Sequence, residues 1–229
     1  MENTGYINLL KVEYINNKNE LNAIAMSKYM KNKFDFCGIK SPLRKEIDKS
    51  FFKDYGFPES ENIEEIISNL WQQPEREFQY FAIQLLEKEI KIKVDENRIN
   101  LYKKLIISKS WWDTVDAISS LLVGKFFTYY PDLIENEMQK WNKSENMWLN
   151  RSSIIFQLKY KQQTNIELLS KFIKKHLNSK EFFIQKAIGW ALREYSKTNP
   201  DFVVKFVNDN KLAPLCHKEA LKIICKNIN

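Results

Sequence analysis

The stretch that decides the fold spans residues 182–203 and reads FFIQKAIGWALREYSKTNPDFV. Its apolar residues recur at three- and four-residue spacing, which is the period of an amphipathic helix. A proline followed by an acidic residue, Pro200-Asp201, suits the first turn of a second helix. The stretch therefore predicts two consecutive helices joined by a short link.

The same pattern recurs upstream at a constant period. Asp116 and Arg151 are 35 residues apart, and Arg151 and Lys186 are again 35 residues apart, with apolar residues after each of them. Two-helix units at this period are typical of an α-solenoid, in which each pair buries its apolar stripe against the next pair. We predict an all-α solenoid of paired helices that forms a single domain over residues 1–229.

The composition agrees with helices and excludes several other classes of protein. The 229 residues are 44% apolar, enough for a sizeable core, but they include only five glycines and six prolines. So few turn-forming residues argue against a large all-β fold. The isolated glycines exclude a glycine-rich phosphate loop and a dinucleotide-binding fingerprint. The three cysteines follow no CxxC or Cys/His ligand pattern, so we expect no metal site.

The positive charge is concentrated in the second half of the chain. Residues 1–110 carry 18 Lys and Arg against 17 Asp and Glu, whereas residues 111–229 carry 18 against 12, a net charge of +6. This surplus fits a partner rich in phosphate, although a merely soluble basic surface would also produce it. The sequence has no signal-like N-terminus and no apolar run that could cross a bilayer. We expect a cytoplasmic, nucleoid-associated protein that contacts no membrane.

One face of the predicted solenoid combines charges with aromatic rings. The equivalent positions Asp116, Arg151 and Lys186 would line one continuous concave surface. Large apolar side chains lie one helical turn from these positions: Trp112, Met147, Phe182 and Trp190. A surface with cations, aromatic rings and one carboxylate is unusual for packing alone, so we expect it to be the functional face.

Several motifs occur in the same order and spacing as in a known family. The most specific covers residues 179–200 (SKEFFIQKAIGWALREYSKTNP), and others cover residues 109–116 (KSWWDTVD), 148–151 (WLNR) and 156–161 (FQLKYK). In these motifs the sequence resembles the AlkD-type family of bacterial DNA alkylation repair glycosylases, which are built from HEAT-like repeats. The likeness covers nearly the whole chain and is weakest at its two ends.

The resemblance implies an activity and a set of site residues. It implies a DNA N-glycosylase that excises cationic alkylpurines, such as 3-methyladenine and 7-methylguanine, from duplex DNA without flipping the base. Asp116 matches the family's catalytic carboxylate, and Trp112 and Trp190 match the aromatic pair that holds the cationic nucleotide. Residues implied to contact DNA are Tyr29, Arg151, Phe182, Lys186 and Arg193. The resemblance requires no cofactor or metal, and we expect a monomer.

For some of these residues the alternative is an ordinary structural role. Asp116 and Arg151 would then form a structural ion pair. Lys186 and Arg193 would belong to a solvated helix face, and Phe182 would fill the core.

Two other functions compete with the glycosylase. The first is a non-catalytic HEAT-like DNA-binding protein that recognises damaged or branched DNA, and the second is a protein-interaction scaffold. The joint presence of Trp112, Asp116 and Trp190 favours an enzyme over the first alternative. The positive charge of the second half favours nucleic acid over the second.

Overall fold

The structure is a computed structural model that describes residues 3–58, 62–92 and 94–226. Helices form nearly all of the regular structure, and these described ranges contain no β-strand. The predicted all-α fold is thus confirmed. Among the described residues, no helix is long and apolar enough to cross a membrane.

The chain divides into two compact units, of which the first spans residues 1–93. Its helices are α1 (Asn3–Asn16), α2 (Glu20–Tyr29), α3 (Ser41–Tyr55), α4 (Ile63–Gln72) and α5 (Arg76–Ile92). Helix α1 packs against α3 and α4, and α4 packs against α5. The core of this unit includes Leu10, Phe51, Ile67, Phe81 and Leu85. Helix α2 buries none of its residues and lies on the surface of the unit.

A buried carboxylate fixes the link between α2 and α3. Glu77 of α5 accepts hydrogen bonds from the backbone N–H groups of Cys37 at 3.0 Å, Gly38 at 3.0 Å and Ile39 at 3.1 Å. Gly38 has a φ of +83°, and a Cβ added to it would lie 2.0 Å from the carbonyl oxygen of Asn19. Only glycine fits at this position. The three hydrogen bonds to Glu77 anchor the link to α5.

The second unit spans residues 94–229. Its helices are α6 (Arg98–Ile107), α7 (Trp112–Ala117), α8 (Gly124–Tyr129), α9 (Ile134–Asn142), α10 (Met147–Ile155), α11 (Ile166–Lys175), α12 (Phe182–Tyr195), α13 (Pro200–Asp209) and α14 (Pro214–Lys226). A π-helical segment, Ile118–Val123, joins α7 to α8, and 3₁₀ turns cover Pro131–Leu133 and Lys161–Gln163.

Helices of the second unit pack in the order that the repeat predicts. Helix α10 packs against α9 and α12, and α12 packs against α13 and α14. Helices α10 to α14 share one apolar core, which includes Ile155, Ile173, Ile188, Leu192 and Val203. Helix α13 begins at Pro200, as the sequence predicts, and the Asn199 side chain accepts a hydrogen bond from the N–H of Phe202 at 3.0 Å. These stacked pairs are the α-solenoid packing expected from the 35-residue period.

The helix that carries Asp116 widens into the π-helical segment directly after it. The Ser119 hydroxyl lies 2.6 Å from the carbonyl oxygen of Val115, and the Ser120 hydroxyl donates to the carbonyl of Asp116 at 2.7 Å. Ser119 also lies 2.8 Å from the hydroxyl of Ser152 in α10. Serine hydroxyls that bond back to the preceding turn bend helices, and π-turns are frequent at functional sites. This local change of helix type was not predicted from the sequence.

Candidate functional site

Arg151 of α10 binds the carboxylate of Asp116 of α7 through two hydrogen bonds. Its Nε donates to Oδ1 at 2.7 Å, and its Nη2 donates to Oδ2 at 2.8 Å. Its Nη1 donates to the carbonyl oxygen of Phe183 at 2.5 Å. The Arg151 side chain is 5% exposed and that of Asp116 is 15% exposed. The structure therefore contains the ion pair that the sequence offered as an alternative, and Arg151 holds the carboxylate in one orientation.

Burial and pairing act on the Asp116 carboxyl group in opposite directions. Burial raises its pKa above the ordinary aspartate value, Arg151 opposes this rise by hydrogen bonding and by charge, and nearby Asp113 adds a smaller rise. The two hydrogen bonds from Arg151 favour the ionised form. A fixed, poorly hydrated carboxylate of this kind can stabilise a positive charge that develops beside it.

An aromatic cluster packs beside Arg151 at the N-terminal ends of three helices. The Phe183 ring centroid lies 5.1 Å from that of Trp111 and 4.9 Å from that of Trp148, and the guanidinium carbon of Arg151 lies 6.0 Å from it. The neighbouring Phe182 is mostly exposed and contacts the Phe183 ring edge-on at 5.3 Å. Phe182 therefore does not fill the core, whereas Phe183 and Trp148, which sequence reasoning missed, support the arginine.

The two predicted site tryptophans lie on different helices of the second unit. Trp112 is the first residue of α7, four residues before Asp116, and it is partly buried. Trp190 lies in α12, four residues after Lys186, and packs against the apolar core while part of its ring stays exposed. Their predicted contacts with an alkylated nucleotide stay predictions.

A second carboxylate pairs with two of the predicted DNA-binding cations. Lys186 Nζ donates to Glu219 Oε1 at 2.7 Å, and Arg193 Nη1 donates to Glu219 Oε2. The hydrogen bond from Lys186 lowers the pKa of Glu219, and the charges of Lys186, Arg193 and Lys222 also lower it. Glu219 follows Lys186 by 33 residues, whereas the 35-residue period leads from Lys186 to Leu221, so the period alone does not find Glu219.

Tyr29 is the one predicted site residue in the first unit. It ends α2 and is mostly exposed. A surface position suits a binding role, and its contact with DNA stays a prediction.

A cavity in the second unit does not include the predicted site residues. Its volume is about 250 Å³, and its wall includes Leu158, Lys161, Ala191 and Lys197 near the C-terminal ends of α10 and α12. In the described part of the chain, no three His, Cys, Asp or Glu side chains are grouped to hold a metal ion. The candidate site is thus a helix surface with fixed charges and partly exposed rings.

These features define an all-helical repeat protein with paired charges beside aromatic rings. The sequence profile of a family described as "DNA alkylation repair enzyme" matches residues 10–224. The chain belongs to this family, and its role is in DNA alkylation repair.

Solved structures of similar chains agree with this assignment. A predicted DNA alkylation repair enzyme from Enterococcus faecalis is 35% identical, with a TM-score of 0.84 over 91% of this chain and 97% of that chain. AlkD2 from Streptococcus mutans is 19% identical, with a TM-score of 0.60 over 78% of this chain and 88% of that chain, and supports the fold alone. The same holds for smu.31 from Streptococcus mutans UA159, at 18% identity and a TM-score of 0.59 over 80% of this chain and 96% of that chain. A comparison with curated proteins gives no match.

Proposed function

We propose that the protein is a DNA N-glycosylase that excises cationic alkylpurines, such as 3-methyladenine and 7-methylguanine, from duplex DNA without flipping the base. The observation that carries the proposal is the Asp116 carboxylate, held in place by Arg151 in a largely buried site. The proposal also includes a monomeric enzyme that needs no cofactor.

The proposed chemistry depends on the charge of the substrate. An alkylated purine is already cationic, so it leaves as a neutral base without protonation by a general acid. Breaking the N-glycosidic bond moves positive charge onto the sugar, as in glycoside hydrolysis. The Asp116 carboxylate stabilises this charge and orients the water that attacks the sugar carbon. The reaction releases the base and leaves an abasic site.

Arg151 acts through Asp116 in this proposal and is a positioning residue. Its guanidinium group already binds both oxygens of Asp116 and the carbonyl of Phe183. The phosphate contact suggested by the family resemblance would require these buried hydrogen bonds to rearrange. We therefore assign Arg151 first to the orientation of the carboxylate and to its ionised form.

Trp112 and Trp190 supply the preference for a cationic lesion. An indole ring attracts a cation over its face by about 0.5–2 kcal/mol, and the attraction grows when water is excluded. A neutral, undamaged purine does not gain this energy. Contacts with the DNA backbone and the flanking nucleotides come from Tyr29, Phe182, Lys186 and Arg193.

The experiment that tests the proposal measures base release. The protein is incubated with duplex DNA that contains 7-methylguanine or 3-methyladenine, and free base is quantified by chromatography against a control without enzyme. Release of alkylpurine supports the glycosylase. Binding to the same duplex with no release above the control supports the non-catalytic DNA-binding alternative instead.

A further inference from the structure

The carboxylate of Glu219 pairs with Lys186 and Arg193, the two cations of α12 that the proposed function assigns to the DNA backbone. Lys186 approaches one oxygen of its carboxylate at 2.7 Å, and Arg193 donates to the other oxygen. The side chains of Lys186, Arg193 and Glu219 are 37%, 24% and 16% exposed. The cations can therefore be reached by a ligand, while the carboxylate between them is the least exposed member of the group.

The backbone keeps Glu219 next to these cations. A Cβ added to Gly189 of α12 would lie 2.5 Å from the Cβ of Glu219 and 3.2 Å from the carbonyl oxygen of Cys216. Gly189 thus allows α14 to pack directly on α12 between Lys186 and Arg193. The contact at the Cβ of Glu219 fixes the start of this side chain beside α12.

A DNA phosphate would compete with Glu219 for the same donors. The three side chains sum to a net charge of +1, and a phosphodiester also binds through N–H groups of Lys and Arg. Glu219 is the only acidic residue in α14, Pro214–Lys226, so no other carboxylate of this helix shares the role. A phosphate at this position must displace part of an ion pair that the protein has already formed.

We propose that Glu219 is an intramolecular competitor of the DNA phosphates and sets how tightly the protein holds the backbone of any duplex. The inference rests on the DNA binding of the proposed function. With Glu219 present, the protein leaves undamaged DNA and its abasic product sooner. Recognition of the lesion itself remains with the Trp112, Asp116 and Trp190 site.

The test is the affinity of Glu219→Gln for undamaged duplex DNA over a series of salt concentrations, measured by fluorescence anisotropy. The substitution frees Lys186 and Arg193 while it keeps the shape of the side chain. We expect the affinity to rise about fivefold, as for release of a partly exposed ion pair. We expect the slope of log affinity against log salt to steepen by about one unit, because about one further phosphate is neutralised.

A matched control separates this effect from a general change in net charge. Glu137 of α9 pairs with Lys140 at 2.7 Å and is 20% exposed. Glu137→Gln therefore removes a similarly paired carboxylate and changes the net charge of the protein by the same amount as Glu219→Gln. We expect its affinity and salt slope to stay at the wild-type values. An equal gain in both variants would contradict the proposal, as would no gain in Glu219→Gln.

A double variant protects the test against a loss of folding. If Glu219 masks Lys186, Lys186→Gln weakens DNA binding little in the wild-type protein and several-fold in the Glu219→Gln background. Equal effects in the two backgrounds would contradict masking. Thermal melting by circular dichroism confirms that each variant is folded.

The outcomes also separate this inference from the proposed function. Tighter DNA binding by Glu219→Gln without base release in any variant would refute the glycosylase and support the inference. Base release by the wild type with unchanged DNA affinity in Glu219→Gln would refute only the inference. We expect undamaged competitor DNA to inhibit Glu219→Gln more strongly than the wild type.

Discussion

Arg151 meets Asp116 side-on, with Nε and Nη2 at 2.7 and 2.8 Å from the two carboxylate oxygens, while its third nitrogen binds the backbone of α12. One guanidinium group therefore connects α7, α10 and α12. The same contact that fixes the carboxylate also ties three helices of the second unit together. Substitutions of Arg151 should consequently affect both catalysis and stability.

The first prediction concerns the positioning role of Arg151. Arg151→Lys keeps the charge but loses the planar pair of donors, so the carboxylate of Asp116 is held less firmly. We expect the rate of single-turnover excision to fall. The acid limb of the pH–rate profile should move to higher pH, because weaker hydrogen bonding opposes less of the rise that burial causes in the pKa of Asp116. Excision needs the ionised form, so activity is lost as the pH falls through this pKa. Pre-steady-state excision measured across pH tests both effects.

The outcome for DNA binding distinguishes positioning from a phosphate contact. In the positioning role, the salt slope of DNA binding by Arg151→Lys and Arg151→Ala stays at the wild-type value. A slope reduced by about one unit in Arg151→Ala would instead assign Arg151 to a phosphate.

The second prediction concerns the two tryptophans. Trp112→Ala and Trp190→Ala should each slow excision of 7-methylguanine by about 5- to 30-fold, as the loss of about 1–2 kcal/mol of cation–π attraction requires. A phenylalanine ring attracts a cation more weakly than an indole ring does. Trp112→Phe and Trp190→Phe should therefore slow excision less than the alanine variants do. Because Trp190 also packs against the core, melting curves of all four proteins are needed. Equal rates for the Ala and Phe variants would argue against a cation–π role.

The third prediction concerns the contact between α12 and α14. Gly→Ala inside a helix ordinarily stabilises a protein by about 0.5–1 kcal/mol. At Gly189 the new methyl group would overlap the Cβ of Glu219, so we expect Gly189→Ala to lower the free energy of unfolding by about 1–3 kcal/mol. Urea denaturation measures the change. A stabilised variant would show that α14 does not depend on this close approach.

The fourth prediction concerns a buried carboxyl group of the first unit. Asp48 of α3 accepts a hydrogen bond from the Tyr14 hydroxyl at 2.6 Å and lies 3.4 Å from Arg44, yet burial raises its pKa to about 6. Its folded-state pKa exceeds the unfolded value, so the stability it contributes is complete below about pH 4 and is lost as the pH rises through 6. Relative to Asp48→Asn, the wild type should therefore lose on the order of 3 kcal/mol over this range. Urea denaturation of both proteins at several pH values provides the test, and a difference independent of pH would contradict it.

The sequence predicted the helices and the shared face better than the partners of each side chain. The 35-residue period placed Asp116, Arg151 and Lys186 in equivalent positions, and two of them do pair in the structure. Glu219 was not predicted as a partner of Lys186, because the two residues are 33 and not 35 residues apart. The sequence also does not show that α14 packs against Gly189. Long-range packing, which local periodicity does not encode, determines both the pairing of Glu219 with Lys186 and the contact of α14 with Gly189.

Two further features of the candidate site differ from what the sequence predicted. The period placed Phe182 on the functional face, but its neighbour Phe183 makes the contacts beside Arg151. In the π-helical segment after Asp116, the Ser119 hydroxyl lies 2.8 Å from the hydroxyl of Ser152 in another helix. A single-helix pattern cannot predict such a contact, because the two serines are 33 residues apart in the sequence.

The last prediction tests the central claim that Asp116 stabilises the developing sugar cation. The measurement is single-turnover release of 7-methylguanine from duplex DNA by wild type and Asp116→Asn, with thermal melting to confirm that both are folded. The substitution keeps the shape of the side chain and removes its charge, so we expect release to slow by about 10²–10³-fold while affinity for intact duplex is unchanged or higher. A folded Asp116→Asn protein that releases the base at the wild-type rate would contradict the proposed mechanism.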